Sequence, residues 1–367
     1  MKISSLRRVT LPAAVVLTVG LTLTACGDKT DSGSGSSSGG GGTLNGGGAT
    51  SQANAQTTWR ANYQKQNGGT INYEEVGSGT GVENFTSKAY SFAGTDAYLS
   101  DEQMSAASTS CASDVVEVPA YVSPIAVAFN LPGIDSLNLD SQTIADIFTG
   151  KVTTWNDQEI ASQNPGAKLP STAIVPVHRS DESGTTFNFT DYLFQTSGGA
   201  WSDQANTVWP ASVKGGQGAD GTSGVIGLLG QTEGAVGYAD DSAVKAEGSL
   251  GVVSIKVGNS YNPPSATGVA KVLAASPPAP NQPPTSMAVN IDRKATAKGD
   301  YPLMLASYLL ACQKYGDSAT ADFVKGYLTY VVSPDGQQAA ADTAGSAPLD
   351  SSLSQKATSI VSQIAAS

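Results

Sequence analysis

The chain has one histidine, three cysteines and only 20 basic residues against 31 acidic ones in a length of 367. Each scarcity excludes something. His178 and the widely spaced Cys26, Cys111 and Cys312 give no zinc ligand set, and no metal or other cofactor is expected. The net charge of -11 leaves no basic footprint for nucleic acid. It would also repel an anion at long range, so any anion site must be built from local donors and dipoles. The phosphate-loop pattern G-x-x-x-x-G-K-[S/T] does not occur, and no fixed-period repeat marks a solenoid. With 40% hydrophobic and 14% charged residues, the chain suits one large or two ordinary globular domains.

The N-terminus reads as an address label. Lys2, Arg7 and Arg8 precede an apolar run from Leu11 to Leu23, too short for a comfortable membrane span. Leu23-Thr24-Ala25-Cys26-Gly27 resembles a bacterial lipobox. Cleavage after residue 25 would leave Cys26 to carry acyl chains such as palmitate, converting a soluble protein into an anchored one. A plain secretory peptide or an uncleaved anchor is the alternative. Residues 26–42, the lipidated cysteine and a Gly/Ser-rich stretch, read as a flexible tether. Lipid on Cys26 leaves Cys111 and Cys312 outside the reducing cytosol. A disulfide between them is expected, with two buried free thiols as the other reading.

From about Thr43 strands and helices alternate, which implies an α/β architecture with mainly parallel sheets. Helices are expected over about 51–66, 82–88, 224–230, 321–332 and 351–366, and a further one from Ser141 and another from Phe187. The apolar run Met304–Tyr315 also reads as a helix, Pro334-Asp335-Gly336 as a turn and 277–284 as an exposed proline-rich loop. Strands are expected at 70–76, 90–93, 125–129, 173–178 and 235–239.

Three loops share one physical form: glycines, then Ser or Thr, then a helix start. They are Gly46 to Ser51, Gly77-Ser78-Gly79-Thr80-Gly81, and Arg179-Ser180-Asp181-Glu182-Ser183-Gly184-Thr185-Thr186. Glycine permits close backbone approach, hydroxyls add donors, and a helix start adds unpaired N–H groups and a positive dipole end. Each loop alone is better read as an ordinary capped turn. All three together, with Arg179 directly before one, favour a small oxyanion. Asp96, in Phe92-Ala93-Gly94-Thr95-Asp96, sits just past a strand. A carboxylate suits an anion site if the ligand still carries a proton to donate, as phosphate does and sulfate does not; a turn cap is the plainer alternative.

These motifs together resemble the extracytoplasmic phosphate-binding lipoproteins of Pst-type ABC phosphate transporters. Ile147-Phe148-Thr149-Gly150-Lys151, Thr154-Trp155-Asn156-Asp157, Asn164-Pro165-Gly166 and Gly234-Ala235-Val236-Gly237-Tyr238 carry the resemblance further along the chain. The resemblance implies a two-lobed, type II periplasmic-binding-protein-like fold with an interlobe cleft and hinge. One lobe would combine 43–125 with 300–367, and the other would be 126–299, which puts Cys111 and Cys312 in one lobe. It implies high-affinity phosphate binding by a monomer on the outer face of the cell membrane, with delivery to permease subunits. Thr50, Ser51, Ser78, Asp96, Arg179, Ser183, Gly184 and Thr185 would bind the ion, and Asp181 would orient Arg179. Ser51 stands where the family usually has an aromatic residue, and Glu182 where glycine is frequent. Two rival classes stay open: a phosphatase or esterase using His178 with Ser183 and Asp181, and a surface adhesin that kept the fold. Strand alternation argues against the first, because it points His178 and Arg179 to opposite faces.

Overall fold

The computed structural model describes residues 42–367, so the leader, Cys26 and nearly all of the tether lie outside the described residues. The first half of the fold is laid down as β1 (Thr43–Gly48), α1 (Ala53–Asn67, entered through a 3-10 turn at Thr50–Gln52), β2 (Thr70–Glu74), α2 (Ser78–Thr86), β3 (Phe92–Thr95) and α3 (Asp101–Cys111). Ser100 and Gln103 cap α3 reciprocally, each side chain bonding the other's backbone N–H. The long β4 (Val115–Phe129) leads to β5 (Ser136–Leu139), α4 (Ser141–Phe148), α5 (Gln158–Ala161), β6 (Val175–Arg179), α6 (Gly184–Thr196), β7 (Gln217–Ala219), α7 (Gly221–Gln231) and β8 (Ala235–Asp240). Then come α8 (Asp241–Glu247), β9 (Gly251–Val257), β10 (Ser260–Asn262) and α9 (Ala266–Ala275). The chain returns through β11 (Met304–Cys312), β12 (Lys314–Tyr315), α10 (Ser318–Val332), α11 (Pro334–Ala344), α12 (Ser351–Val361) and β13 (Ala365–Ala366).

One curled sheet runs β2-β1-β3-β11-β4-β8-β6-β7, with β9 joining β4, β5 and β10 at its side. Pairing is parallel in the outer wings, β2-β1-β3 and β8-β6-β7, and antiparallel where β11 and β4 cross the middle. The sheet is therefore more mixed than alternation alone suggested. All 15 residues of β4 are buried. Between Val115 and Pro124 every residue but Ala120 pairs with β11, and the last five, Ile125 to Phe129, pair with β8. This strand is thus shared by the two wings of the sheet. Pro119 and Pro124 cannot donate to a ladder, and the register shifts between Ser307 and Tyr308, opposite Pro119 to Tyr121.

Four expectations need correction. Met304–Cys312 is a central strand, not a helix: all nine residues are buried, and a run buried on both faces carries no period that separates strand from helix. Its Leu, Met and Ala favour helix locally, but pairing with β3 and β4 overrides that preference. Pro334 opens α11 rather than a turn, with Ser333 capping Gly336 N–H and proline in the first helical turn, where no donor is needed. The last helix stops at Val361, and the chain ends as a short strand beside β12. Asp140 rather than Ser141 caps α4, accepting from Thr143 N–H at 2.9 Å.

Cys111 at the end of α3 and Cys312 at the end of β11 form the disulfide, with Cα atoms 5.4 Å apart. They close a small apolar cluster of Val82, Phe85, Leu99 and Val115 beneath α2 and α3. The larger core stacks Trp59, Tyr63 and Tyr327 on one side of the sheet crossing and Phe148, Phe189 and Tyr238 on the other. Among the described residues no helix is long and apolar enough to cross a membrane.

Candidate functional site

The anion-site candidates gather where strands end and helices begin, the usual position for ligands in open α/β sheets. β1 delivers Thr50 and Ser51, the loop after β2 delivers Ser78 as the first residue of α2, and Asp96 follows β3. From the other direction, Arg179 ends β6, Ser183 caps α6, and Gly184 and Thr185 form its first turn. This helix begins three residues earlier than its apolar pattern suggested, and α2 starts at Ser78 rather than near Val82. Both shifts put the hydroxyls and glycines at the helix termini themselves, whose first-turn amides find no partner inside the helix.

Two glycines show how tightly these loops meet. Gly48 has φ +137°, and a Cβ there would lie 2.1 Å from the Gly94 carbonyl oxygen. A Cβ on Gly184 would lie 2.6 Å from Asp96 Cβ and 2.7 Å from Ser78 Oγ. Glycine at 184 thus lets the start of α6 press against Asp96 and Ser78.

Asp96 is the centre of the cluster and is only 3% exposed. Ser51 Oγ donates to its Oδ1 at 2.6 Å, and Thr185 Oγ1 to its Oδ2 at 3.2 Å. Its backbone N–H donates to Ser78 Oγ at 3.2 Å. Burial raises its pKa above the ordinary aspartate value, while hydroxyls of Ser307, Ser51 and Thr185 and the Arg179 charge pull the other way. Arg179 is 2% exposed and forked onto Asp181: Nε donates to Oδ1 at 2.6 Å, and Nη2 donates to Oδ2. Burial works to raise the Asp181 pKa, but the Arg179 hydrogen bonds and charge and the Gly221 N–H outweigh it and hold the carboxyl below its usual range. Ser183 Oγ accepts from Thr186 N–H at 3.2 Å. Glu182 is exposed at the rim, and its backbone carbonyl accepts from Gly79 N–H at 3.1 Å.

All eight sequence-selected ligand candidates and Asp181 therefore lie in one connected cluster. The start of α7 belongs to it as well. Gly221 N–H donates to Asp181 Oδ1 at 3.1 Å, and the hydroxyls of Thr222 and Thr50 lie 2.8 Å apart. Asp220-Gly221-Thr222-Ser223 has the same glycine-hydroxyl form as the other loops, but a helix start placed at Gly224 hid it. Asn188, which carries no sequence signal, and Tyr238, which ends a motif of the resemblance but is not among its ligand residues, also enter. Asn188 Nδ2 donates to the Asp96 carbonyl at 2.7 Å, and Tyr238 Oη accepts from Arg179 N–H at 3.3 Å.

His178 stands apart. Its ring stacks on Trp209 with centroids 4.6 Å apart, and Nδ1 lies 2.9 Å from the Arg179 carbonyl oxygen. Asp181 is committed to Arg179 and Gly221, and Ser183 to its helix cap. No Ser-His-Asp relay forms from these three. With Asp96 ionised, the buried charges are one guanidinium and two carboxylates. Such a cluster offers an oxyanion helix-start amides and hydroxyls as donors, and offers Asp96 as acceptor for a proton that the anion carries.

Fold and site define a two-lobed solute-binding protein, and a family model described as the PBP superfamily domain matches residues 33–335. The chain is 34% identical over 356 residues to the phosphate-binding protein PstS2 of Mycobacterium bovis (strain BCG / Pasteur 1173P2), covering 94% of this chain and 95% of the relative. It is 33% identical over 321 residues to phosphate-binding protein PstS 3 of Mycobacterium leprae, covering 86% and 85%. A solved structure of a high affinity periplasmic phosphate-binding protein (PfluDING) shares the fold at a TM-score of 0.71 and 22% identity, covering 86% of this chain and 93% of that one. The chain belongs to the PstS family of phosphate-binding proteins within the PBP superfamily.

Proposed function

We propose that the protein binds inorganic phosphate outside the membrane with high affinity and delivers it to the permease subunits of an ABC-type phosphate transporter. It is a binding protein and not an enzyme. The observation that carries this reading is the pairing of opposite demands in one buried cluster. Arg179 and the amides at the starts of α2 and α6 call for an anion, while Asp96, acceptor-only when ionised, calls for a proton on that anion. Phosphate near neutral pH meets both demands. Sulfate meets the first and leaves an oxygen facing a carboxylate.

Thr50, Ser51, Ser78, Asp96, Arg179, Ser183, Gly184 and Thr185 contact the ion in this reading, and Asp181 keeps the guanidinium fork in place. Residues 43–125 with 300–367 form one lobe and 126–299 the other, and they close on phosphate about the crossing of β4 and β11. The contacts of Asp96 with Thr185 and Asn188 then link the lobes in the closed state. Lipid on Cys26 anchors a monomer to the outer face of the cell membrane, and the Gly/Ser-rich tether gives it reach toward the permease.

Titration calorimetry of the full-length protein with phosphate, arsenate and sulfate tests the reading. Saturable one-to-one phosphate binding, displaced by arsenate and not by sulfate, is expected, with no release of phenol from a phenyl phosphate. Turnover of that ester dependent on Ser183, or absence of phosphate binding, would overturn it.

A further inference from the structure

Arg293 lies outside the oxyanion cluster but is as deeply buried as Arg179, at 2% exposure. Its guanidinium is almost fully spoken for. Nε donates to Asp191 Oδ2 at 2.8 Å, and Nη1 donates to the carbonyls of Pro302 at 2.9 Å and Met304 at 2.8 Å. Nη2 donates to Asn188 Oδ1. That last bond fixes the orientation of the Asn188 amide, because only its oxygen can accept. Its nitrogen must then face the opposite way, where it donates to the Asp96 carbonyl at 2.7 Å and the Gly184 carbonyl at 2.9 Å. One rigid fork therefore ties the entry of β11, the middle of α6 and the backbone of Asp96 together.

We propose that Asn188, oriented by Arg293, is the positioning residue that sets Asp96 against the first turn of α6 and thereby decides how strongly the site prefers a proton-bearing oxyanion. The proposal rests on the phosphate reading above. The geometry supplies the reason. The Asp96 carboxylate is held by hydroxyls on two separate elements, Ser51 and Thr185, and both can rotate. The amide of Asn188 is locked, so it fixes where the Asp96 backbone stands relative to Gly184. Site groups must be held to about half an ångström to keep their selectivity, and such locking comes from supporting hydrogen bonds.

Asn188→Asp retains an acceptor for Arg293 but turns an acceptor-only group toward two carbonyls. Arg293→Lys keeps a charge for Asp191 but cannot span Asn188 and the Pro302 and Met304 carbonyls. Phosphate and sulfate affinities of the full-length variants are measured by titration calorimetry, with circular dichroism to verify folding. Asn188→Asp is expected to weaken phosphate binding about 10-fold or more and to shrink the phosphate-to-sulfate ratio by at least about 10-fold. Arg293→Lys should move the ratio in the same direction. In an Asp96→Asn background, Asn188→Asp should leave the ratio where Asp96→Asn alone puts it, because both act through one carboxylate. Should Asn188→Asp not fold, Asn188→Leu replaces it in the same cycle. Equal losses for both anions, adding in the double variant, would mark a purely structural role and overturn the proposal. Unchanged binding in every variant would also overturn it. Wild-type protein that ignores phosphate would instead remove the functional reading, and this inference with it.

Discussion

Asp96→Asn separates charge from shape at the centre of the site. The carboxylate is 3% exposed and accepts from Ser51 Oγ at 2.6 Å and Thr185 Oγ1 at 3.2 Å. Ser51 is the closer donor, so the asparagine oxygen should keep that bond and its amide group should take the side facing Thr185. The substitution then replaces an acceptor by a donor where the ligand's proton is expected. Phosphate loses a hydrogen bond to a charged group, a loss of about 1.5–3 kcal/mol, which weakens its affinity roughly 10- to 100-fold. Sulfate moves the other way, because an oxygen that faced a carboxylate now faces an N–H. Sites that leave a buried polar group unpaired reject the wrong ligand by about 10⁴–10⁵, and most of that rejection should go. The phosphate-to-sulfate ratio should fall by about a thousandfold. Paired calorimetric titrations of wild type and variant measure it directly. A ratio that stays within about threefold of wild type, with the variant folded, would show that Asp96 does not read the proton on the ligand.

Two further outcomes concern groups outside the anion cluster. Glu117 is fully buried between Leu99 N–H, at 2.8 Å, and Ser286 Oγ, at 2.6 Å, and burial pushes its pKa up to about 7. A folded-state pKa above the unfolded value stabilises the protein at acid pH, and that contribution is lost as pH rises from about 4.5 through about 7. Glu117→Gln keeps an acceptor for Leu99 and a partner for Ser286 without the charge. It should gain about 2.5 kcal/mol relative to wild type between pH 5 and pH 8 in urea denaturation, and parallel pH curves would contradict this account. Asp240, also raised to about 7 by burial, should leave part of the pH slope in place. His178→Ala removes a ring stacked on Trp209 and should cost about 1 kcal/mol of stability, with phosphate affinity unchanged within about twofold. Loss of binding in that variant would place His178 in the site after all.

Much of the site was readable because anion capture at helix starts depends on local sequence. Glycine, hydroxyl and helix start occur together within five or six residues, so Thr50, Ser78 and Ser183 to Thr185 could be picked out one loop at a time. Arg179 followed because it ends β6 directly before such a loop, and Asp96 because it stands just past β3. The α7 start escapes a reading by apolar period because the residues that open a helix lie ahead of that period.

Local sequence was thus sufficient for the carboxylates, for most but not all of the donors, and for the scarcity of basic residues that forces anion capture to be short-range. It was insufficient wherever the partner lies far along the chain. Met304 to Cys312 has the composition of a helix and becomes a strand because β3 and β4 offer it two open edges. Arg293 and Asn188 look like any surface cation and helix amide until the return of β11 buries one against the other, 105 residues apart. Hydrogen bonds over that separation leave no spacing pattern in sequence, because side chains that meet by folding are bound by geometry and not by period. Tertiary structure alone therefore decided how the candidate cluster is held together, while most of the residues that compose it were already legible in the sequence.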